Sequence, residues 1–80
     1  MMFIHSYAKI NGLNESVYVA AFAGLPGPKI WEIRRWCWQT YGDPGYRTDI
    51  DLTVWRDALT YGEVEFARES DLALFLLRWS

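Results

Sequence analysis

The sequence is poor in the residues that build metal centres and covalent active sites. Its 80 residues include one histidine, His5, and one cysteine, Cys37. A zinc site needs three or four closely spaced ligands, and a cysteine nucleophile needs a base and an orienting group. We therefore expect no metal, no cofactor and no catalytic residue, and a protein that is not an enzyme. The single cysteine also excludes an internal disulfide and suits a reducing compartment.

Long hydrophobic runs and a large charge excess are also absent. No apolar stretch approaches the ~20 residues that a membrane span requires. The first residues, MMFIHSYAKI, lack a basic leader before a long apolar segment, so we expect no signal peptide, no membrane and a cytoplasmic location. The net charge is −2, from eight basic and ten acidic residues. This balance gives no long-range attraction to phosphate and disfavours nucleic acid as a partner.

Aromatic residues, in contrast, are abundant. They make up 18% of the chain, and hydrophobic residues make up 51%. Residues 1–80 form a single small domain, and a chain of this size buries only ~60% of its unfolded surface. Large rings are an efficient filling for such a core, but they are also enriched where proteins bind partners. We expect most of the rings to be core and the rest to be available for binding.

The first half of the chain reads as a hairpin followed by a helix. Met2 to Ile10 alternates as a strand, and Ser16 to Ala23 is apolar on both faces, which indicates a central strand. Asn11-Gly12 favours a tight hairpin turn, although a longer turn that reaches Glu15 also fits. After the break at Gly24-Leu25-Pro26-Gly27-Pro28, a helix is predicted from Pro28 to Tyr41.

That helix ends at Gly42 and carries two stripes. One stripe is apolar and consists of Ile30, Ile33, Cys37 and Tyr41. The other combines tryptophan and arginine and consists of Trp31, Arg34, Arg35 and Trp38.

The second half of the chain reads as two further strands and a terminal helix. Leu52 to Arg56 favours a strand, and a helix from Asp51 to Leu59 is the alternative. Gly62 to Arg68 alternates, with Glu63 and Glu65 on one face. Two carboxylates at this spacing suit acid–base catalysis, but they are more typical of the solvated face of an edge strand.

The terminal helix is apolar on nearly every side. Ser70 is placed to cap it, with Asp71 in its first turn. Its core stripe is Leu72, Phe75, Leu76 and Trp79, and Leu74 and Leu77 cover much of the remainder. A helix of this kind is either buried on two sides or covered by something outside its own chain. The predicted fold is α+β, in the order β-β-α-β-β-α, with about four antiparallel strands and two helices on one face.

We expect partner binding at the two helices. The candidate residues are Trp31, Arg34, Arg35, Trp38, Leu74, Arg78 and Trp79. Tryptophan and arginine together clasp protein partners or stack on nucleic-acid bases. The alternative is that the Trp31 and Trp38 rings rest on the sheet while the arginines extend to water.

The C-terminal half also resembles known proteins. A strand ending in Phe66-Ala67-Arg68, an acidic helix start and the close Phe75-x-Leu77-Arg78-Trp79 resemble small uncharacterised proteins of tailed bacteriophages. Arg35-Trp36-Cys37 with Tyr41-Gly42 fits the same resemblance. It implies no enzyme and no cofactor, but an accessory role in the host cytoplasm, such as an inhibitor of host machinery or defence, or a minor virion part.

Three functions follow as hypotheses. The first is a non-enzymatic protein-binding module that docks on a larger host or phage protein. The second is a structural or virion assembly subunit that forms a homo-oligomer and buries the terminal helix. The third is a single-stranded nucleic-acid binder that uses Arg34, Arg35 and the flanking tryptophans.

Overall fold

The computed structural model describes residues 3–10, 12, 14–44 and 54–79. The chain order β-β-α-β-β-α is confirmed, with a short 3-10 turn at Leu59–Tyr61 between the last two strands. The elements are β1 Phe3–Ile10, β2 Ser16–Ala23, α1 Gly27–Tyr41, β3 Trp55–Ala58, β4 Glu63–Phe66 and α2 Glu69–Trp79. Neither described helix is long and apolar enough to cross a membrane. The segment 46–51, whose polar sequence predicts a connection between α1 and β3, lies outside the described residues.

The four strands within the described residues form one antiparallel sheet in the order β1-β2-β4-β3. β2 is central, as its apolar pattern predicts. β4 is central too, which corrects the interpretation of Glu63 and Glu65 as residues of an edge strand. The edges are β1, which is eight residues long, and β3, which has four. The two hairpins therefore meet through β2 and β4.

Both helices pack on one face of this sheet, as predicted. The core that they share with the strands consists of Ala20, Ile33, Cys37, Trp55, Leu59, Val64, Phe66, Leu72, Phe75 and Trp79. The helices run antiparallel: Lys29, early in α1, lies over the Trp79 ring at 5.4 Å, and the Tyr41 hydroxyl donates to the Asp71 carbonyl at 2.8 Å. We call the side of the sheet away from the helices the second sheet face.

The first hairpin turns more widely than Asn11-Gly12 alone predicts. Ile10 lies opposite Ser16, so the turn between the two strands extends as far as Glu15. The tight two-residue turn is therefore wrong, and the longer turn that reaches Glu15 is confirmed. Asn14 takes the left-handed backbone conformation, with φ at 62°, which asparagine tolerates better than most residues.

In the described part of the predicted strand, Val54 lies outside β3, which begins at Trp55. Residues 51–53 lie outside the described residues, but the strand is Trp55–Ala58, so the helical alternative is wrong for this segment. The reason is tertiary. Trp55 donates its indole N–H to the Gly42 carbonyl at 2.9 Å, and the Asp57 carboxylate accepts the Leu59 N–H at 3.1 Å. These bonds hold the segment extended and then turn it.

α2 starts one residue before the predicted cap. The helix begins at Glu69, and the Arg68 carbonyl accepts N–H groups from Asp71 and Leu72. Ser70 therefore lies inside the first turn and is not the cap. Asp71 occupies the first turn as expected, where the helix dipole favours an anion.

The buried thiol of α1 predicts a loss of stability at alkaline pH. Burial, with a smaller contribution from Asp57, raises the pKa of Cys37 from 9.0 to about 12, and burial also raises the pKa of Tyr41. The folded-state pKa of Cys37 lies above the unfolded value, so ionisation of the thiol costs stability. The contribution of the neutral thiol to the free energy of unfolding is complete below about pH 9 and is lost as the pH approaches about 12. The free energy of unfolding, measured in urea across this range, should fall with pH. Cys37→Ala should flatten that slope, and an unchanged slope would contradict the assignment.

Candidate partner-binding surfaces

The outer side of α1 carries two exposed tryptophans. Trp31 is 68% exposed and Trp38 is 45% exposed. They stand seven residues apart, which is close to two helical turns, so they lie on one side of the helix. The alternative that these rings rest on the sheet is therefore wrong. We call Trp31, Arg34, Arg35 and Trp38 the α1 surface.

Arg34 ties the α1 surface to the sheet. Its Nε donates to Asp57 Oδ2 at 2.5 Å and its terminal nitrogen donates to Oδ1 at 3.4 Å. The guanidinium carbon also lies 4.9 Å from the Trp31 ring centroid, within cation–π distance. Arg34 is thus half-buried and does not extend freely to water, whereas Arg35 is exposed. The Trp31 ring is supported on one face by a cation that is itself held by Asp57.

The predicted residues of α2 divide between surface and core. Leu74 is 44% exposed and Arg78 is exposed, but Trp79 is only 6% exposed and belongs to the core. The Arg78 guanidinium lies 4.2 Å from the Trp79 ring centroid and covers it. Leu77, outside the predicted set, is 84% exposed. The signal for it was the apolar pattern on every side of this helix.

The exposed residues of the two helices point in different directions. Trp36 meets α2 through edge-on contacts with Phe75 and Trp79. Trp31 and Trp38 lie ~140–200° around α1 from Trp36, so they face away from α2. The structure therefore does not bring all the predicted binding residues into one surface.

The second sheet face carries a charged network that the sequence patterns did not reveal. Glu65, which is only 9% exposed, accepts from Lys9 Nζ at 3.3 Å and from a terminal nitrogen of Arg56 at 3.0 Å. Beside it, the Tyr7 hydroxyl donates to Glu63 at 2.7 Å. That hydrogen bond, with some burial and the nearby carboxylates, raises the pKa of Tyr7. We call these five residues the cross-sheet network.

The network reaches across β2. Tyr7 and Lys9 belong to β1, while Glu63 and Glu65 belong to β4, with β2 between them. Val19 of β2 lies between Tyr7 and Glu65 in the pairing and is fully buried, although both helices pack on the opposite face. The alternation of the sequence places Tyr7 and Lys9 on one side of β1, and Glu63 and Glu65 on one side of β4. Only the strand order brings these two sets of residues together.

The candidates for chemistry are separated by the same architecture. His5 shares the second sheet face with Tyr7, and their ring centroids are 5.8 Å apart, whereas Cys37 lies in the core under the helices. Within the described residues, no group of three or more His, Cys, Asp or Glu side chains is placed to hold a metal ion. Glu63 and Glu65 are held by Tyr7 and by cations respectively.

Comparison of the chain with protein-family models, curated proteins and solved structures gives no match.

Proposed function

We propose that this protein is a non-enzymatic protein-binding module that docks on a larger protein through the α1 surface. The observation that carries the proposal is the pair of exposed tryptophans, Trp31 and Trp38, on one side of α1. A whole aromatic side chain buries roughly 150–250 Å², of which the exposed fractions of Trp31 and Trp38 remain available to a partner, and tryptophan is among the residues most enriched in binding hot spots.

Arg34 supports the proposal through preorganisation. Its contacts with Asp57 and with the Trp31 ring restrict the position of that ring before any partner arrives. Ordering a side chain on binding costs ~0.5–1.5 kcal/mol, and a ring that is already held avoids part of this cost. The α1 surface thus presents a fixed anchor, Trp31, beside a more adaptable rim.

The charges of the α1 surface favour a protein over a nucleic acid. Arg34 is paired with Asp57, which leaves Arg35 as the other arginine of this surface. Single-strand binding relies on a positively charged groove with stacking rings, and the whole chain carries a net charge of −2. We therefore expect a partner with an apolar pocket and an acidic rim near Arg35.

The resemblance to accessory proteins of tailed bacteriophages suggests the kind of partner. We propose a larger host or phage protein that this module inhibits in the host cytoplasm. A homo-oligomeric assembly subunit is the second candidate function, and the edge strand described below favours it.

The test of the α1 surface is retention of a bacterial host protein on the immobilised chain. We expect Trp31→Ala to weaken the retained complex by about 30-fold, or ~2 kcal/mol, because it removes the anchor of the surface. Its fold should remain, since the ring is mostly exposed; near-ultraviolet circular dichroism checks this. Leu77→Ala, a truncation of an exposed residue on the other helix, is the matched control. Loss of binding with Leu77→Ala but not with Trp31→Ala would move the contact to α2 and contradict the proposal.

A further inference from the structure

β1 is a long edge strand with one unpaired side among the described residues. It pairs with β2 residue for residue from Phe3↔Ala23 to Ile10↔Ser16, with no bulge in the register. Natural proteins protect such edges with proline, bulges or exposed charge. β1 contains no proline, and the ammonium of its Lys9 is drawn across the sheet to Glu65, away from the edge.

The hydrogen bonds of the central strands show which groups of β1 face outward. The Phe22 N–H donates to the Gly62 carbonyl at 2.7 Å, so the even-numbered residues of β2 bond to β4. The Ala67 N–H donates to the Val54 carbonyl at 3.0 Å, so the odd-numbered residues on the β4 side bond toward β3 and the even-numbered ones toward β2. The odd-numbered residues of β2 therefore bond to the odd-numbered residues of β1.

The even-numbered residues of β1 consequently direct their backbone N–H and C=O groups away from the sheet. These residues are Ile4, Ser6, Ala8 and Ile10. They present alternating donors and acceptors along roughly 20 Å of edge. Edge β3 offers far less, because it has four residues and ends in a 3-10 turn, and the charged Asp57 lies on it.

We propose that a second copy of this chain pairs with β1 and forms a closed, two-fold symmetric dimer. An antiparallel pair of identical edge strands is related by a two-fold axis perpendicular to the sheet. Such an axis keeps all four helices on one side and pairs residues of the same face. The interface is isologous, so it uses both β1 edges and, of the strands that the structure describes, leaves only the short β3 edges outside.

One register satisfies every outward group of the strand. With Tyr7 on the two-fold axis, Ile4 faces Ile10 of the second copy and Ser6 faces Ala8, in both directions. These are four hydrogen-bonded pairs of two bonds each, eight in all. The Ile10 side chain, which is 63% exposed, then packs against Ile4 of the second copy. A register centred on Ser6 leaves Ile10 beyond the described strand of the other copy.

The mass of the protein in solution tests the dimer. Light scattering over a range of concentrations should give twice the mass of the chain. Ser6→Pro should give a folded monomer. The N–H that the proline removes faces outward, so every hydrogen bond between β1 and β2 is kept. Ser6→Ala keeps that N–H and should remain dimeric. A wild-type chain that stays monomeric at high micromolar concentration, or a Ser6→Pro dimer, overturns the proposal.

A cysteine cross-link tests the register even if Ser6→Pro does not fold. In the proposed dimer, residue 7 of one copy lies opposite residue 7 of the other in a non-hydrogen-bonded pair, with Cα atoms ~4.5 Å apart, a distance that a disulfide spans. Tyr7→Cys should therefore form a covalent dimer under mild oxidation. Tyr61→Cys, at a position that is 78% exposed on the 3-10 turn, should not. Equal cross-linking of both variants overturns the pairing.

The dimer and the α1 surface are independent. α1 contacts the sheet near Asp57 of β3, at the opposite edge from β1. A monomeric wild-type chain that still retains a partner through Trp31 would overturn the dimer alone.

Discussion

Phe75→Ala is expected to lower the free energy of unfolding by about 3–5 kcal/mol, the usual range for a large ring removed from a core. Phe75 is fully buried at the centre of an aromatic cluster. Its ring centroid lies 5.8 Å from that of Phe22, 6.0 Å from Trp36, 5.4 Å from Phe66 and 6.5 Å from Trp79. Truncation removes dispersion contacts with both helices and both central strands and leaves a cavity that these rings cannot readily fill.

This loss is large relative to the whole stability of the domain. At ~0.05–0.15 kcal/mol per residue, a chain of this length has roughly 4–12 kcal/mol in total. Urea denaturation followed by tryptophan fluorescence measures the change, and Phe75→Leu provides a milder variant if Phe75→Ala is unfolded. Leu77→Ala is the control, since Leu77 lies two residues away and is 84% exposed, and it should change stability by less than ~0.5 kcal/mol. Equal losses for the two alanine variants would contradict this account of the core.

The core face of α2 could be predicted because it depends on local periodicity. Leu72, Phe75 and Trp79 recur on one side of a helix, and all three are buried. The same pattern placed Leu76 in this stripe, where it packs against the core, and Leu77 outside it, but it could not tell whether another part of the chain covers Leu77, which is 84% exposed. That exposure is set by where the neighbouring strands and α1 lie, and those positions depend on long-range pairing.

The α1 surface was predicted from its spacing, but its exposure and its support were not. A tryptophan–arginine stripe fits equally well with rings on the sheet and with rings in water. The structure decides this because Ile33 and Cys37 fill the space over the sheet and leave Trp31 and Trp38 outside. The pairing of Arg34 with Asp57 was also hidden, because Asp57 belongs to a strand whose bounds depend on tertiary bonds.

The cross-sheet network was beyond prediction for a related reason. Glu65 and its partner Lys9 are 56 residues apart in the chain and on strands that do not touch. Alternating glutamates are typical of a solvated edge, and the pattern carries no information about which strand lies at the centre. Once β4 is central, a buried glutamate there needs cations, and β3 beside it and β1 on the far side of β2 supply them.

Glu65→Gln is expected to destabilise the fold by about 2–3 kcal/mol, the range for loss of charge-assisted bonds in a poorly solvated site. Gln keeps the volume of the side chain but removes the charge that faces Lys9 and Arg56. Arg56 is the more sensitive partner, with 18% of its side chain exposed against 42% for Lys9. Its buried Nε–H already lacks an acceptor among the described residues, so loss of the carboxylate leaves a cation with little compensation.

The matched control is Glu63→Gln on the same strand and the same face. Glu63 accepts one hydrogen bond, from Tyr7, at the exposed side of the network, and an amide oxygen can replace the carboxylate there. We expect a change below ~1 kcal/mol.

A double-mutant cycle then separates charge from packing. If Glu65 and Arg56 mainly compensate each other's buried charge, the double variant Glu65→Leu/Arg56→Leu should be more stable than either single variant, because neither charge is left unpaired. Additive losses in that cycle, measured by urea denaturation, would show that Glu65 does not act through Arg56 and would contradict this account.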